Sequence, residues 1–145
     1  ANVNQLFVDS RWAGAELTNL VSQELAPYRR NDGGRRVRIE GANHLLEPSA
    51  AQALAVTVHE LATNAAKYGA LSTSDGKVEI TWELKSVGEL VLRWVESGGP
   101  RVTPPARQGF GTRVVATMIA QLRGHVENDW HPDGLVCEIT LPITR

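Results

Sequence analysis

The sequence lacks several features that mark particular classes of protein. Its single cysteine, Cys137, cannot form a disulfide within the chain, so a reducing compartment is expected. A formal net charge of −1 and a pI near 6.5 give no electrostatic footprint for nucleic acid. No apolar run approaches membrane-spanning length, and the N-terminus shows no signal-peptide pattern. The composition therefore predicts a cytoplasmic domain without nucleic-acid or membrane contacts.

A zinc centre is not indicated either. His44, His125 and His131 fall in expected loop or hairpin positions, and no histidine pair has ligand spacing supported by further ligands. Cys137 lies in an apolar strand pattern and is interpreted as a small core residue. The 145 residues suffice for one domain with a two-layer core, and the start at Ala1 rather than Met suggests a piece of a longer protein.

The strongest positive signal is the stretch from His59 to Gly69, which predicts a helix with two different faces. One face is a narrow apolar stripe formed by Leu54, Val58, Leu61 and Ala65. Glu60, Asn64 and Lys67 form a polar strip roughly a quarter-turn away, at the border of the buried face. A carboxylate, a carboxamide and an ammonium there would orient water, hold a hard cation and contact phosphate. Taken alone, the strip is better explained as an ordinary solvated helix face.

Two later segments change that balance. The stretch from Arg93 to Pro100 ends a strand in Glu96 and a glycine turn, and the stretch from Gly109 to Thr112 then opens a helix. A polar helix strip, a strand-end acid, a glycine turn and a glycine-rich helix start, in that order, are more specific than any one of them.

The periodicities predict an α+β fold. We expect, in chain order, a helix from Asp9 or Ser10 to about Pro27, a strand from Arg35 to Glu40, a helix from about Ser49 to Tyr68, strands 78–84 and 90–94 joined at Gly88, a helix from Thr112 to Arg123, and strands 125–130 and 135–141. Ser49 with Gln52 is a candidate capping box. The expected architecture is a two-layer α/β sandwich, a mixed and mostly antiparallel sheet covered on one face by helices.

Strand alternation places Glu96 on the face that should be buried. Counting by two, it shares that face with Trp94, which, like Trp82, is interpreted as a core residue rather than a base-stacking platform. A carboxylate on the buried side needs a hydrogen-bonding partner.

These residues resemble a known family. His59-Glu60-Leu61 through Ala70-Leu71-Ser72, with Trp94-x-Glu96-x-Gly98-Gly99-Pro100, resembles the ATP-binding catalytic domain of bacterial sensor histidine kinases of the HWE subgroup. That domain has the Bergerat fold of the GHKL superfamily, shared with gyrase, Hsp90 and MutL. The resemblance covers nearly the whole chain and implies a single domain over residues 1–145. Residues 1–9 would be a linker from a dimerisation and phosphoacceptor domain.

The resemblance implies roles for the helix strip. Asn64 would supply a carboxamide oxygen to Mg²⁺, and Lys67 would contact phosphate. Glu60 occupies the position that resembles the general base of ATP-hydrolysing relatives, and in a kinase it would position water or metal.

The strand end and the glycines acquire roles in the same way. Glu96 would accept a hydrogen bond from the exocyclic amine of adenine, and Gly98 would permit close approach of the base. Gly109 and Gly111, with Thr112, would bring phosphates to a helix N-terminus, whose N–H groups favour anions. The segment 100–108 would form a lid, in which Arg101 or Arg107 either touches phosphate or is solvated.

His59 has two interpretations. With Glu60 and Leu61 it also resembles the start of a phosphoacceptor motif, but Ala62 and Thr63 follow where a basic residue and then a proline are usual. On the helical wheel His59 lies away from the Asn64 strip, which favours a structural role.

The predicted function is that of a protein histidine kinase. The domain would bind Mg-ATP and donate the γ-phosphate to a histidine on a separate dimerisation domain and, through it, to a response regulator. The alternatives are a Bergerat-fold ATPase that uses Glu60 as general base, and a nucleotide-binding regulatory module without catalysis.

Overall fold

The fold is known from a computed structural model that describes residues 14–29, 36–85, 88–101, 103–104 and 109–143. Its elements are β1 (Ala15–Glu16), α1 (Leu17–Leu25), β2 (Val37–Glu40), β3 (Leu45–Leu46), α2 (Pro48–Lys67), β4 (Lys77–Lys85), β5 (Glu89–Ser97), α3 (Phe110–Gln121), β6 (His125–His131) and β7 (Gly134–Pro142), with 3-10 turns at Ala26–Tyr28 and Ala70–Ser72. The expected linker 1–9, the helix start at Asp9 or Ser10, and Arg107 in the expected lid lie outside the described residues.

Five strands form one sheet in the order β2, β4, β5, β7 and β6. Only the pairing of β2 with β4 is parallel; β4–β5 and β6–β7 are antiparallel hairpins, and β5 and β7 join these hairpins in a further antiparallel pairing. Gly88 joins β4 to β5 with a φ of +76°, a conformation that glycine adopts without a steric penalty. The mixed, mostly antiparallel sheet is confirmed.

Alternation along the strands separates a buried face from a polar one. On β4 the side chains of Val78, Ile80 and Trp82 are buried, whereas those between them are half-buried or exposed. The helices cover the buried face, and the apolar stripe predicted for α2 is buried in the core. This arrangement confirms the two-layer sandwich.

Boundaries of all three helices differ from the prediction. Residues Ala15 and Glu16, expected in a helix, pair with Leu46 and Leu45 as a short strand, so α1 begins at Leu17. This pairing joins segments about 30 positions apart and leaves no periodic signal in so short a run.

At α2 the capping residue is Glu47 rather than Ser49. Pro48 occupies the first helical position, where its missing N–H costs nothing, and this displaces the expected capping box of Ser49 with Gln52.

At α3 the helix begins at Phe110, two residues before the predicted Thr112, and ends at Gln121. It ends two residues before Arg123, which has a φ of +65° and so leaves the helical conformation before Gly124.

Candidate functional site

A cavity of about 810 Å³ lies between α2, α3 and the buried face of the sheet near the end of β5. It brings together residues that are far apart in the sequence: Glu60, Asn64, Glu96, Gly109 and Thr112 all line it. Arg101 and Thr103, from the expected lid segment, line its mouth. A shallower hollow of about 600 Å³ on the outer sheet face is lined by none of these residues.

The wall formed by α2 carries a hydrogen-bonded pair. Asn64 Nδ2 donates to Glu60 Oε2 over 3.0 Å, the interaction expected of side chains four positions apart on a helix. This bond uses one of the two amide N–H groups, and the carbonyl oxygen of Asn64 can still coordinate or accept from a ligand. Lys67, one turn further on, is exposed and is not among the described residues that line the cavity.

Glu96 is a carboxylate inside the core layer, with only 5% of its surface exposed. Its Oε1 accepts the backbone N–H of Ala70 over 3.0 Å, and its Oε2 accepts the Trp94 indole N–H over 2.9 Å. These two donors are the partners that a buried carboxylate requires. Each oxygen can accept a further hydrogen bond, and Glu96 still lines the cavity. The predicted burial of this residue is confirmed.

Gly69 makes this geometry possible. A Cβ atom at position 69 would overlap Glu96 Oε1, so any larger residue there would displace the carboxylate. Its φ of −115° is open to other residues, and the requirement for glycine is therefore one of space.

The start of α3 closes the cavity opposite the strand end. Gly109 is the capping residue and has no side-chain cap, and Thr112 lines the cavity. The first N–H groups of a helix have no partners within it, so this end favours an anion. A Cβ on Gly111 would overlap the Glu60 carboxylate, which places the first turn of α3 directly against α2.

The floor consists of side chains from three adjacent strands. Cys137 and Leu135 of β7 pair with Asn128 and Trp130 of β6, and these four residues line the cavity together with Glu96 of β5. Burial, and after it the charges of Glu96 and Glu138, raises the pKa of Cys137 to about 12, so its thiol stays protonated. The predicted core position of Cys137 is confirmed, and the residue also lines the cavity.

Comparison with known proteins finds related kinases. The family model described as HWE histidine kinase matches residues 1–43. A blue-light-activated histidine kinase of Brucella anthropi is 34% identical over 148 residues, an alignment that covers 99% of this chain. Both comparisons relate the chain to histidine kinases, and the family model relates its first 43 residues to the HWE group. It spans about 30% of the length of the curated relatives it matches.

Solved histidine kinases share the fold. The histidine kinase domain of the Erythrobacter litoralis EL346 blue-light activated histidine kinase superposes with a TM-score of 0.70 at 18% identity, over 88% of this chain and 59% of that one. The mycobacterial sensor histidine kinase MprB superposes with a TM-score of 0.67 at 18% identity, over 89% of this chain and 97% of that one. Among the described residues, no helix is long and apolar enough to cross a membrane.

The glycine turn after β5 has a packing role. Gly98 has a φ of +74°, and a Cβ there would press on the Asp75 carbonyl oxygen at 2.7 Å. Gly98 is not among the described residues that line the cavity, and the packing alone explains the glycine. Its contact with a base stays a prediction, as do the phosphate contact of Lys67 and the ligand roles of Glu60, Asn64, Glu96, Gly109, Gly111 and Thr112.

Sequence reasoning missed Tyr68. This aromatic side chain lines the cavity with 72% of its surface exposed. The residue follows directly on the last turn of α2, so its position beside the predicted site was visible in the sequence, but its exposure depends on the packing around it.

His59 lies on another side of α2. Its Nδ1 is 3.0 Å from Glu24 Oε1 of α1, and the ring is exposed and does not line the cavity. This placement agrees with the structural interpretation of His59.

Proposed function

We propose that the cavity binds Mg-ATP and that the chain is the catalytic domain of a histidine kinase, which donates the γ-phosphate to a histidine on a separate dimerisation domain. One observation carries the proposal. A buried, doubly anchored carboxylate, Glu96, shares one cavity with the Glu60–Asn64 pair and the start of α3. Similarity to histidine kinases supports it. A response regulator would then receive the phosphoryl group in the cytoplasm.

Adenine recognition rests on Glu96. A carboxylate accepts hydrogen bonds, so it attracts an exocyclic amine and repels the carbonyl that guanine carries at the same position. Tyr68 offers an exposed aromatic ring at the cavity wall, against which a planar base can pack. Together they define a base subsite between the end of α2 and the end of β5.

Phosphate and metal recognition rests on the opposite side of the cavity. The first turn of α3 offers backbone N–H groups to phosphate, and Asn64 offers one carboxamide oxygen to Mg²⁺. A magnesium ion takes few protein oxygens and completes its shell with phosphate and water, so a single carboxamide beside a carboxylate fits its chemistry. Bound with the nucleotide, the ion would neutralise phosphate charge, and the chain itself supplies positioning.

Calorimetry tests the metal assignment. Wild type should bind ATP more tightly with Mg²⁺ than with EDTA, and Asn64→Ala should abolish that difference because the metal loses its carboxamide oxygen. Asn19→Ala is a matched control, because Asn19 also donates to a nearby glutamate, Glu16, but lies on α1 outside the cavity. If the Mg²⁺ dependence of ATP binding is unchanged in Asn64→Ala, Asn64 does not bind the metal.

An ATPase is the second candidate, because the Glu60 carboxylate lines the cavity where it can reach a water molecule. Glu60 accepts a hydrogen bond from Asn64. Gly111, in the first turn of α3, packs so closely against the Glu60 carboxylate that a Cβ atom on it would overlap the carboxylate. We expect this confinement to keep hydrolysis slow. Steady phosphate release by the chain alone, abolished in Glu60→Gln, would favour the ATPase instead.

A further inference from the structure

The Glu96 carboxylate is held by the segment 69–76, and this segment is in turn held by Arg36. Residues 69–76 join α2 to β4, and Ala70 in this segment donates its N–H to Glu96. Arg36, just before β2, donates Nε to the Gly76 carbonyl over 3.1 Å and Nη2 to the Ala70 carbonyl over 3.3 Å. The same Nη2 also donates to the Thr73 carbonyl. One guanidinium therefore ties three points of the segment together.

We propose that Arg36 is a positioning residue for nucleotide recognition. It fixes residues 69–76, and through the Ala70 N–H it fixes the direction in which the Glu96 carboxylate points. This inference rests on the proposed function, since it assumes that Glu96 reads the base.

Tight packing around Ala70 allows this effect to be transmitted. A Cβ on Gly76 would overlap the Ala70 carbonyl, and one on Gly99 would lie 2.6 Å from Ala70 Cα. The Val78 N–H donates to the Arg36 carbonyl over 2.7 Å, which holds the backbone of Arg36 against β4. Ala70 has little room to move, because Gly76 and Gly99 pack closely against it and its carbonyl is bonded to the guanidinium.

The geometry calls for arginine rather than for a positive charge alone. The three acceptors are uncharged carbonyls at different points of a turn, and a guanidinium presents five donors in a fixed plane. A lysine ammonium is a single point on a flexible stem, so it can replace only part of this network.

The test compares Arg36→Ala and Arg36→Lys with Arg38→Ala. Arg38 is the matched control, because it lies on adjacent β2 and contacts Glu40 and Glu79 on the exposed face. ATP and GTP affinities are measured by calorimetry well below each melting temperature, and the Ala70 amide signal is followed by NMR without nucleotide.

We expect Arg36→Ala to weaken ATP binding about tenfold, to lower the ATP-to-GTP affinity ratio and to shift the Ala70 amide signal. Arg36→Lys should recover part of the ratio, and Arg38→Ala should match wild type. In a Glu96→Gln background, Arg36→Ala should lower the ratio no further, because the residue through which it acts is gone.

The outcomes separate the two proposals. If folded Arg36→Ala and Arg36→Lys both keep the wild-type affinity ratio, the inference is wrong while the proposed function stands. If Arg36→Ala does not fold, Arg36→Lys decides: a lowered ratio supports the inference and an unchanged one overturns it. If wild type and Arg38→Ala show no preference for ATP over GTP, the proposed function itself fails.

Discussion

Glu60 and Glu96 are both carboxylates of the cavity, but their surroundings give them different capabilities. Glu96 is buried and held by two N–H donors, so its direction is fixed by the fold. Glu60 is half-buried and is held by one neighbouring amide on its own helix. A fixed acceptor suits recognition of a rigid base, whereas a partly solvated carboxylate suits the positioning of water or a hydrated ion.

Replacing Glu96 by glutamine tests the base assignment. We expect Glu96→Gln to weaken ATP binding by about 1 to 3 kcal/mol, because a charge-assisted hydrogen bond to the adenine amine is lost. The new amide also turns an N–H group toward Ala70 or Trp94, so the free energy of unfolding should fall. Competition titrations with ATP and GTP measure the first effect, and Glu127→Gln on the exposed side of β6 is the control. Unchanged affinities for both nucleotides would exclude the adenine role.

The raised pKa of Cys137 predicts a loss of stability at alkaline pH. The folded chain keeps the thiol proton up to about pH 12, whereas the ordinary value is 9.0. Between these values the unfolded state binds fewer protons, so the free energy of unfolding falls as pH rises, by roughly 1 kcal/mol at pH 10.

Urea unfolding of wild type and Cys137→Ala at pH 7 and pH 10 measures this loss. Because Cys137 is the only cysteine, the difference between the two pH dependences belongs to one thiol. Wild type should lose roughly 1 kcal/mol more than the variant. If the free energy of unfolding changes equally with pH in wild type and Cys137→Ala, the thiol does not titrate on unfolding.

At the scale of elements, the sequence predicted whatever depends on local periodicity. Alternation by two placed Glu96 on the buried face, and the helical repeat placed Glu60 and Asn64 beside the core. Contacts between distant segments could not be predicted this way. The β1–β3 pairing and the contacts of Arg36 with residues 70–76 join positions 25 or more apart, and no local pattern encodes them.

Gly69, where α2 ends, tests whether this junction controls recognition. A methyl group there would displace the Glu96 carboxylate, so Gly69→Ala should lower ATP affinity and the preference over GTP. Gly88→Ala is the matched control, because its φ of +76° should cost about 1 kcal/mol of stability at the β4–β5 turn, outside the cavity. Both variants should therefore be destabilised, and only Gly69→Ala should bind differently. Equal nucleotide binding by both variants would show that the junction at Gly69 does not control recognition.

At the scale of the whole molecule, the cavity and the histidines lie apart. Four histidines occur in the chain, and none is among the described residues that line the cavity. His59 contacts α1, His131 pairs with Asp129, and His125 lines the hollow on the outer sheet face. α2 and β6 also form the cavity, but these three side chains lie on other faces of the two elements.

This separation predicts that the 145-residue chain will not phosphorylate itself when incubated with γ-labelled ATP. Transfer requires the acceptor nitrogen in line with the γ-phosphorus at near-contact distance, and α2 cannot present Asn64 and His59 to the same phosphate because they face different sides of it. Adding a histidine-bearing dimerisation domain in trans should produce acid-labile, alkali-stable label on that domain alone. His59→Gln serves as the control and should support the same transfer. Label on the chain itself, lost in His59→Gln, would contradict this separation and make His59 the phosphoacceptor.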